Sequence, residues 1–319
     1  IGLISTNLAE KIAMTVTEAP YRVTAETISN TCGQTISSSG VWNMMQRLGE
    51  RIAEEEQCAV KEMHADRAQG EKVIPVLFEE MDGIWLHMQN SNHRKMKKQE
   101  MKVFTMYEGW DKEQKKRSSL VEKTMLAGME SSQIFHEKRE ALIEKKYNAD
   151  EIQQRILNGD GGSWIRETYD PDAIFQLDRY HIYQEILRKI SDRDAQREAR
   201  KLFEEEKITE LLEFILVYAD SVETTDEKDK RSQKARELYH YLNNNKDGLL
   251  PYQKQGRKIP EPREGIVYKN MGVQESQNCT VITMRMKHRR MRWSAKGANN
   301  LAKVLCCKEN KELCSTIER

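Results

Sequence analysis

The sequence predicts an α/β fold. The expected architecture is a mixed sheet with flanking helices, an all-helical insertion, and an N-terminal pair of helices about a turn. Three observations carry this. Residues 73–110 hold apolar runs of strand length, first continuous and then alternating with period two. Strand-like and helix-like patterns then alternate as far as residue 190, an order that packs helices on the faces of a sheet. Residues 191–250 show helical periodicity alone.

At the N-terminus, residues 24–57 read as two helices. "TAETISNTCG" stops at Gly33, and the next helix starts with Ser37 or Ser38 as its N-cap. Val41, Met44, Met45, Leu48 and Ile52 share one face. This is the pattern of a helix-turn-helix and equally of an ordinary helical hairpin. In the first case Arg47 and Arg51 are placed to reach DNA phosphates.

"VIPVLFEEMDG" reads as a central strand ending at Asp82, "GIWLHMQ" as a second, and "MKVFTMYEGW" as a third after the basic turn "HRKMKKQE". A long charged helix follows in "SSQIFHEKREALIEKKYNADEIQQ". "RILNGD" is then a strand ending at Asp160, "AIFQLD" one ending at Asp178, and "RYHIYQEILRKI" a helix. The expected domains are a helical region over 1–60, a core over 70–190, a helical insertion over 191–262, and C-terminal helices over 263–319 that complete the core. "PYQKQGRKIPEPREG" is the Pro/Gly connection that returns the chain.

The whole-chain numbers exclude little. The 319 residues suit roughly two domains. A net charge of +1 decides nothing about nucleic acid. No stretch approaches the ~18 apolar residues of a membrane span, and no signal peptide opens the chain. It begins at Ile1 rather than Met, as a fragment would. Its six cysteines form no CxxC pair, which argues for reduced thiols in a cytoplasmic protein and against structural zinc.

Three acids stand out. Asp82 and Asp160 are read at strand ends. Glu275 opens a helix on the stripe Glu275, Cys279, Ile282, Met286, spaced 4, 3 and 4. Each has a plain alternative: a turn aspartate for the first two, a first-turn helix acid for the third. Together they describe an oxygen-rich pocket suited to Mg²⁺. Two such ions can clamp both oxygens of a phosphodiester displacement. Between Arg285 and Lys303 lie seven Lys/Arg and no acid. Within it Arg285, Lys287, Arg289, Arg290 and Arg292 form either a DNA-tracking face or a solvated one. Trp164 and Trp293 either stack on an unpaired base or pack in the core.

The element order, with "EEMDGIWLHMQ", "ILNGDGGSWI", "FQLDRYHIYQEI", "YKNMGVQESQ" and "RMKHRRMRWSAKGANNLAKVL", resembles the ISLre-type bacterial insertion-sequence transposases from about Tyr21 onward. The resemblance implies an RNase H-like fold with Asp82, Asp160 and Glu275 as a DDE triad holding two Mg²⁺ or Mn²⁺ ions. It also implies Asp178 and His181 beside the pocket, since "DRYH" is similar to an Asp-x-x-His signature of related enzymes; the alternative for His181 is a capped helix-start histidine. The implied partner is double-stranded DNA, element ends and target, bound by a homo-oligomer. The implied chemistry is strand cleavage and strand transfer without a protein nucleophile. The rival expectations are a nuclease of the same fold that cuts without joining, and an inactive DNA-binding remnant.

Overall fold

The computed structural model describes residues 4–67, 70–89, 97–113, 119–166, 170–226, 228–288 and 291–318. The chain divides into two compact units. One comprises Ile1–Gln153, Pro262–Tyr268 and Val273–Arg319; the other comprises Gln154–Glu261 and Lys269–Gly272. Antiparallel and parallel strand pairing both occur, with helices around them, so the chain is α/β.

The first unit begins with α1 (Thr6–Glu18), α2 (Tyr21–Cys32) and α3 (Ser38–His64). Gly33 ends α2 in the left-handed conformation, φ 63°, which costs glycine least. Ser37 caps α3 by accepting the Gly40 N–H at 3.0 Å. The predicted face, Val41, Met44, Met45, Leu48 and Ile52, is buried.

The strands depart from expectation in a specific way. The first two predicted strands are one, β1 (Val76–His87), which runs straight through Gly83. Asp82 therefore lies inside a strand, opposite Val103 of β2 (Lys98–Tyr107), and neither ends a strand nor corners a turn. An added Cβ at Gly83 would lie 2.0 Å from the Glu100 carboxylate on β2, the far end of a side chain that can swing aside. Of the predicted basic turn, residues 93–96 lie outside the described residues. "MKVFTMYEGW" covers the end of β2 and the start of a separate short strand, β3 (Trp110–Asp111). The true third strand is β4 (Thr124–Gly128), which pairs antiparallel with β2 and is buried along its whole length. Its "TMLAG" is too short to show a period. The following helix, α4 (Ser132–Lys146), stops well before the end of the charge pattern.

The second unit starts with β5 (Gln154–Gly159), α5 (Ser163–Arg166), β6 (Ile174–Leu177) and α6 (Arg179–Lys189), β5 and β6 being parallel. Then come α7 (Arg193–Glu204), α8 (Ile208–Ser221) and α9 (Arg231–Asn244). The helical reading holds, with a break at Glu206, φ 60°. Ile182, Ile186, Phe203, Leu211, Ile215, Leu238 and Leu242 form this unit's core.

Back in the first unit, β7 (Ile266–Val267) pairs with β3, and Arg263 joins Lys72 on the buried Glu108. Next is α10 (Gln274–Gln277), which continues through a π-helical turn (Asn278–Thr283) into α11 (Met284–Met286). The chain closes with α12 (Ala295–Glu309) and α13 (Leu313–Glu318). α12 crosses α3 where Gly49 meets Asn300; a Cβ at Gly49 would lie 2.6 Å from the Asn300 Cα.

This unit holds ions in its interior. Lys303, fully buried on α12, lies 2.6 Å from Glu56 on α3 and 3.0 Å from Glu130 after β4. Lys138 on α4 bridges the same two carboxylates. Burial pushes the Glu130 carboxyl up, but Lys303 and Lys138 more than offset this and hold it at about 2. A carboxyl depressed on folding contributes stability that is complete above its ordinary value near 4.5 and is lost as pH falls toward about 2. Glu130→Gln is expected to cost roughly 3–5 kcal/mol at neutral pH, because it leaves buried cations under-paired. It should also flatten the acid limb of stability between those two pH values, as read from urea unfolding at a series of pH.

Candidate functional site

Glu80 and Asp82 lie two apart on β1 and so point to the same face. Glu80 is fully buried. Its carboxylate accepts the Tyr107 hydroxyl at 2.6 Å and the backbone N–H groups of Val273 and Gln274 at 3.2 and 3.1 Å. It thus sits where the amino end of α10 leaves donors unsatisfied and favours an anion. Asp82, 8% exposed, accepts the Gly83 N–H at 2.7 Å and the Asn278 side-chain amide at 2.6 Å. The Asn278 oxygen in turn accepts the Gln274 amide at 2.8 Å.

Glu275 is exposed, and so is Cys279; the predicted buried stripe holds only at Ile282 and Met286. The buried line is Gln274, Asn278, Ile282, Met286. Its upper half is polar because it faces the β1 carboxylates. A spacing of four throughout drifts on an α-helix, and the π turn, wider than an α turn, takes up the drift.

In the second unit Asp160 follows β5 directly. Its Oδ1 accepts the Gly162 N–H at 2.8 Å, and its carbonyl accepts the Tyr241 hydroxyl at 2.9 Å. Burial, then the Asp160 charge, pushes the Tyr241 phenol well up, so it stays a donor. Gly161 has φ 82°, and a Cβ there would lie 2.6 Å from the Asn245 side chain. The turn therefore needs glycine on two grounds. Asp178 follows β6 and caps α6, its Oδ1 accepting the Tyr180 N–H at 2.7 Å and its Oδ2 the Asn158 amide at 3.1 Å. His181 Nδ1 lies 3.8 Å from Asp178 Oδ1. Asn158 also accepts the Gln176 amide at 3.2 Å. The Asp178 N–H donates to the Gly159 carbonyl at 2.8 Å, so Asp160 and Asp178 leave the carboxyl ends of two parallel strands side by side.

Asp82 and Glu275 belong to the first unit and Asp160 to the second. Among the described residues no group of three or more His, Cys, Asp or Glu stands ready to hold a metal ion. The residue types still suit a hard cation: carboxylate oxygens are the ligands Mg²⁺ takes, and Mg²⁺ is commonly held by one or two carboxylates plus substrate phosphates. Sequence reasoning missed Glu80, Tyr107, Asn158, Gln176, Tyr241, Gln274 and Asn278. The period-two pair in "EEMD" was the available signal for Glu80.

The predicted basic face is uneven. Lys287 and Arg292 are exposed, Arg285 is buried, and Arg289 and Arg290 lie outside the described residues. Arg47 is exposed, while Arg51 is half-buried and paired with Glu55 at 3.6 Å. Trp293 packs in the core, its ring N–H donating to the Met286 carbonyl at 2.8 Å; Trp164 is half-buried.

Residues 3–318 match the Uncharacterised protein family (UPF0236), and the chain belongs to it. Similar curated proteins come from Caldanaerobacter subterraneus subsp. tengcongensis. UPF0236 protein TTE2489 is 25% identical over 172 residues, 53% of this chain and 34% of that protein. UPF0236 protein TTE0610/TTE0881/TTE1053/TTE2432 is 25% identical over 172 residues, 53% of this chain and 33% of that one. The matched stretch thus spans about a third of these relatives.

Glu80→Gln is expected to set an amide N–H₂ against helix N–H groups and destabilise the first unit by roughly 1–3 kcal/mol. Tyr107→Phe, which removes one donor and keeps the ring, should cost about 1 kcal/mol. Denaturant unfolding of the two variants checks the order.

Proposed function

We propose that this chain is the catalytic part of a DDE-type transposase that cleaves and joins DNA strands of a mobile element. One observation carries the reading: Asp160 and Asp178 leave adjacent parallel strands side by side, downstream of three antiparallel strands and a helix. That order is the one expected of an RNase H-like core. The helical block α7–α9 falls between Asp178 and Glu275, where an insertion is expected. The relatives add support, since the name of one joins four designations, as when the same protein recurs at several places in a genome. Recurrence is what a mobile element leaves behind.

In this reading Asp82, Asp160 and Glu275 hold Mg²⁺ or Mn²⁺ together with DNA phosphates. The bound metal would supply an activated water and neutralise charge at the leaving oxygen. The chain's own groups set the carboxylates. Asn278 and the Gly83 N–H orient Asp82, and the Gly162 N–H orients Asp160. Asp178 is fixed by Asn158 and by its cap on α6, and His181 Nδ1 lies 3.8 Å from its Oδ1. The α2–α3 pair, with Arg47 exposed, serves as the helix-turn-helix, and the protein acts as an oligomer on double-stranded DNA in the cytoplasm. No helix among the described residues is long and apolar enough to cross a membrane.

Asp160→Asn is expected to abolish metal-dependent strand cleavage, with a loss of at least about a thousandfold, while folding and DNA binding persist. Full cleavage by this variant sinks the assignment. Incubation with pre-cut element ends separates transposase from nuclease: joined product is expected, and its absence with cleavage intact means that the enzyme only cuts.

A further inference from the structure

In the second unit the turn that carries Asp160 is intrinsically loose. β5 ends at Gly159, and the chain then runs Asp160, Gly161, Gly162, with two residues of the widest backbone freedom in succession. The sheet still holds Gly159, whose carbonyl accepts the Asp178 N–H at 2.8 Å. Beyond that point α9, the last helix of the insertion, takes over. Tyr241 lies on α9 and Asn245 caps it four residues on, so the two share one face. The Tyr241 hydroxyl donates to the Asp160 carbonyl at 2.9 Å. Asn245 lies against Gly161, where its Oδ1 would stand 2.6 Å from an added Cβ. The Asp160 carboxylate closes on the Gly162 N–H at 2.8 Å, so once the backbone is held the carboxylate is held with it.

This face of α9 is itself fixed. Asn245 is buried; its Nδ2 donates to the Tyr241 carbonyl at 2.8 Å and its Oδ1 accepts Arg166 Nη1 at 3.2 Å. A carbonyl only accepts and a guanidinium only donates, so the amide has one orientation. Arg166, at the end of α5, also donates to the Asn244 carbonyl at 3.2 Å and to Asp247 at 2.6 Å. Its guanidinium lies 4.6 Å over the Phe175 ring of β6. The chain after α9 rests on the same strand: a Cβ at Gly248 would stand 2.7 Å from the Phe175 ring and 3.0 Å from the Leu177 nitrogen. The end of the insertion is thus seated on β6 and tied to α5, and from there it reaches back to the Asp160 turn.

We propose that Tyr241 and Asn245 are positioning residues for Asp160, so that the helical insertion, rather than the sheet, sets where this carboxylate stands. The consequence for metal rests on the reading of Asp160 as a ligand; the hold on the turn is read without metal.

The test is hydrogen exchange of the full chain in chelator, followed by calorimetric titration with Mn²⁺. Tyr241→Phe removes the hydroxyl and keeps the ring; Asn245→Ala removes the amide. Each should speed exchange across residues 160–162 by about two- to tenfold, the weight of one hydrogen bond, while α6 and α8 exchange as in the unaltered chain. Mn²⁺ affinity should fall roughly tenfold or more, as when an outer-shell partner of a metal ligand is lost. Because Asp160 itself remains, saturating Mn²⁺ should restore cleavage by Tyr241→Phe with KM for DNA unchanged, and should not restore Asp160→Asn. If Asn245→Ala does not fold, Tyr241→Phe decides. Unchanged exchange in the turn overturns the proposal. So does faster exchange spread evenly over α6, α8 and the turn, the mark of a general loss of packing. A looser turn with unchanged Mn²⁺ affinity also overturns it, since the hold then does not reach the carboxylate. An unaltered chain that binds no Mn²⁺ removes the metal reading instead and leaves exchange to decide this one.

Discussion

Glu80 is a carboxylate taken wholly out of water, a position that is costly until its lone pairs are filled. A tyrosine hydroxyl from β2 and two backbone N–H groups at the start of α10 fill them. The same contacts settle where the helix begins. Once Gln274 is pinned at its first turn, Asn278 stands one turn on with its amide on Asp82. The setting of Asp82 is thus a consequence of the charge two residues before it. Removal of Glu80 would disturb the candidate site without touching any residue proposed to do chemistry.

Much of the scaffold was legible because helix signals are redundant. Caps, a glycine stop and an apolar face all agree on α2 and α3, and the structure keeps each of them. The strands were harder. Gly83 reads as a break, yet β1 runs through it because β2 pairs with β1 on both sides of the glycine, which no local pattern reveals. β4 is five residues long, less than three periods of alternation, and its identity rests on pairing with β2. The strand-end positions of Asp160 and Asp178 were legible because turn glycines and short apolar runs are local signals. Asn158, Gln176 and Asn278 were not, because a polar residue in an apolar run looks like noise until its partner is known. Glu275 shows the opposite error. An assumed α-helical period put it inside, and the widened turn after it puts polar partners there instead.

Net charge conceals where the charges are. The chain is almost neutral, yet Lys138, Arg139, Lys303 and Arg285 are all buried. The first three have acids within ion-pair distance, and the lysines among them join α3, α4 and α12. Arg285 has a carbonyl and two aromatic rings. A basic stretch that reads as one continuous surface is therefore two things, exposed side chains that can meet a polyanion and interior ones that shape the protein.

The π-helical turn at Asn278–Thr283 sets a rule about length rather than about composition. A π turn holds one residue more than an α turn, so a chain one residue shorter there closes an ordinary α turn with both flanks near their present places. A residue deleted from an ordinary α-helix would instead rotate all that follows by about 100°. The stretch can thus lose one residue and still keep the first turn and the last on one line, where an unbroken α-helix could not.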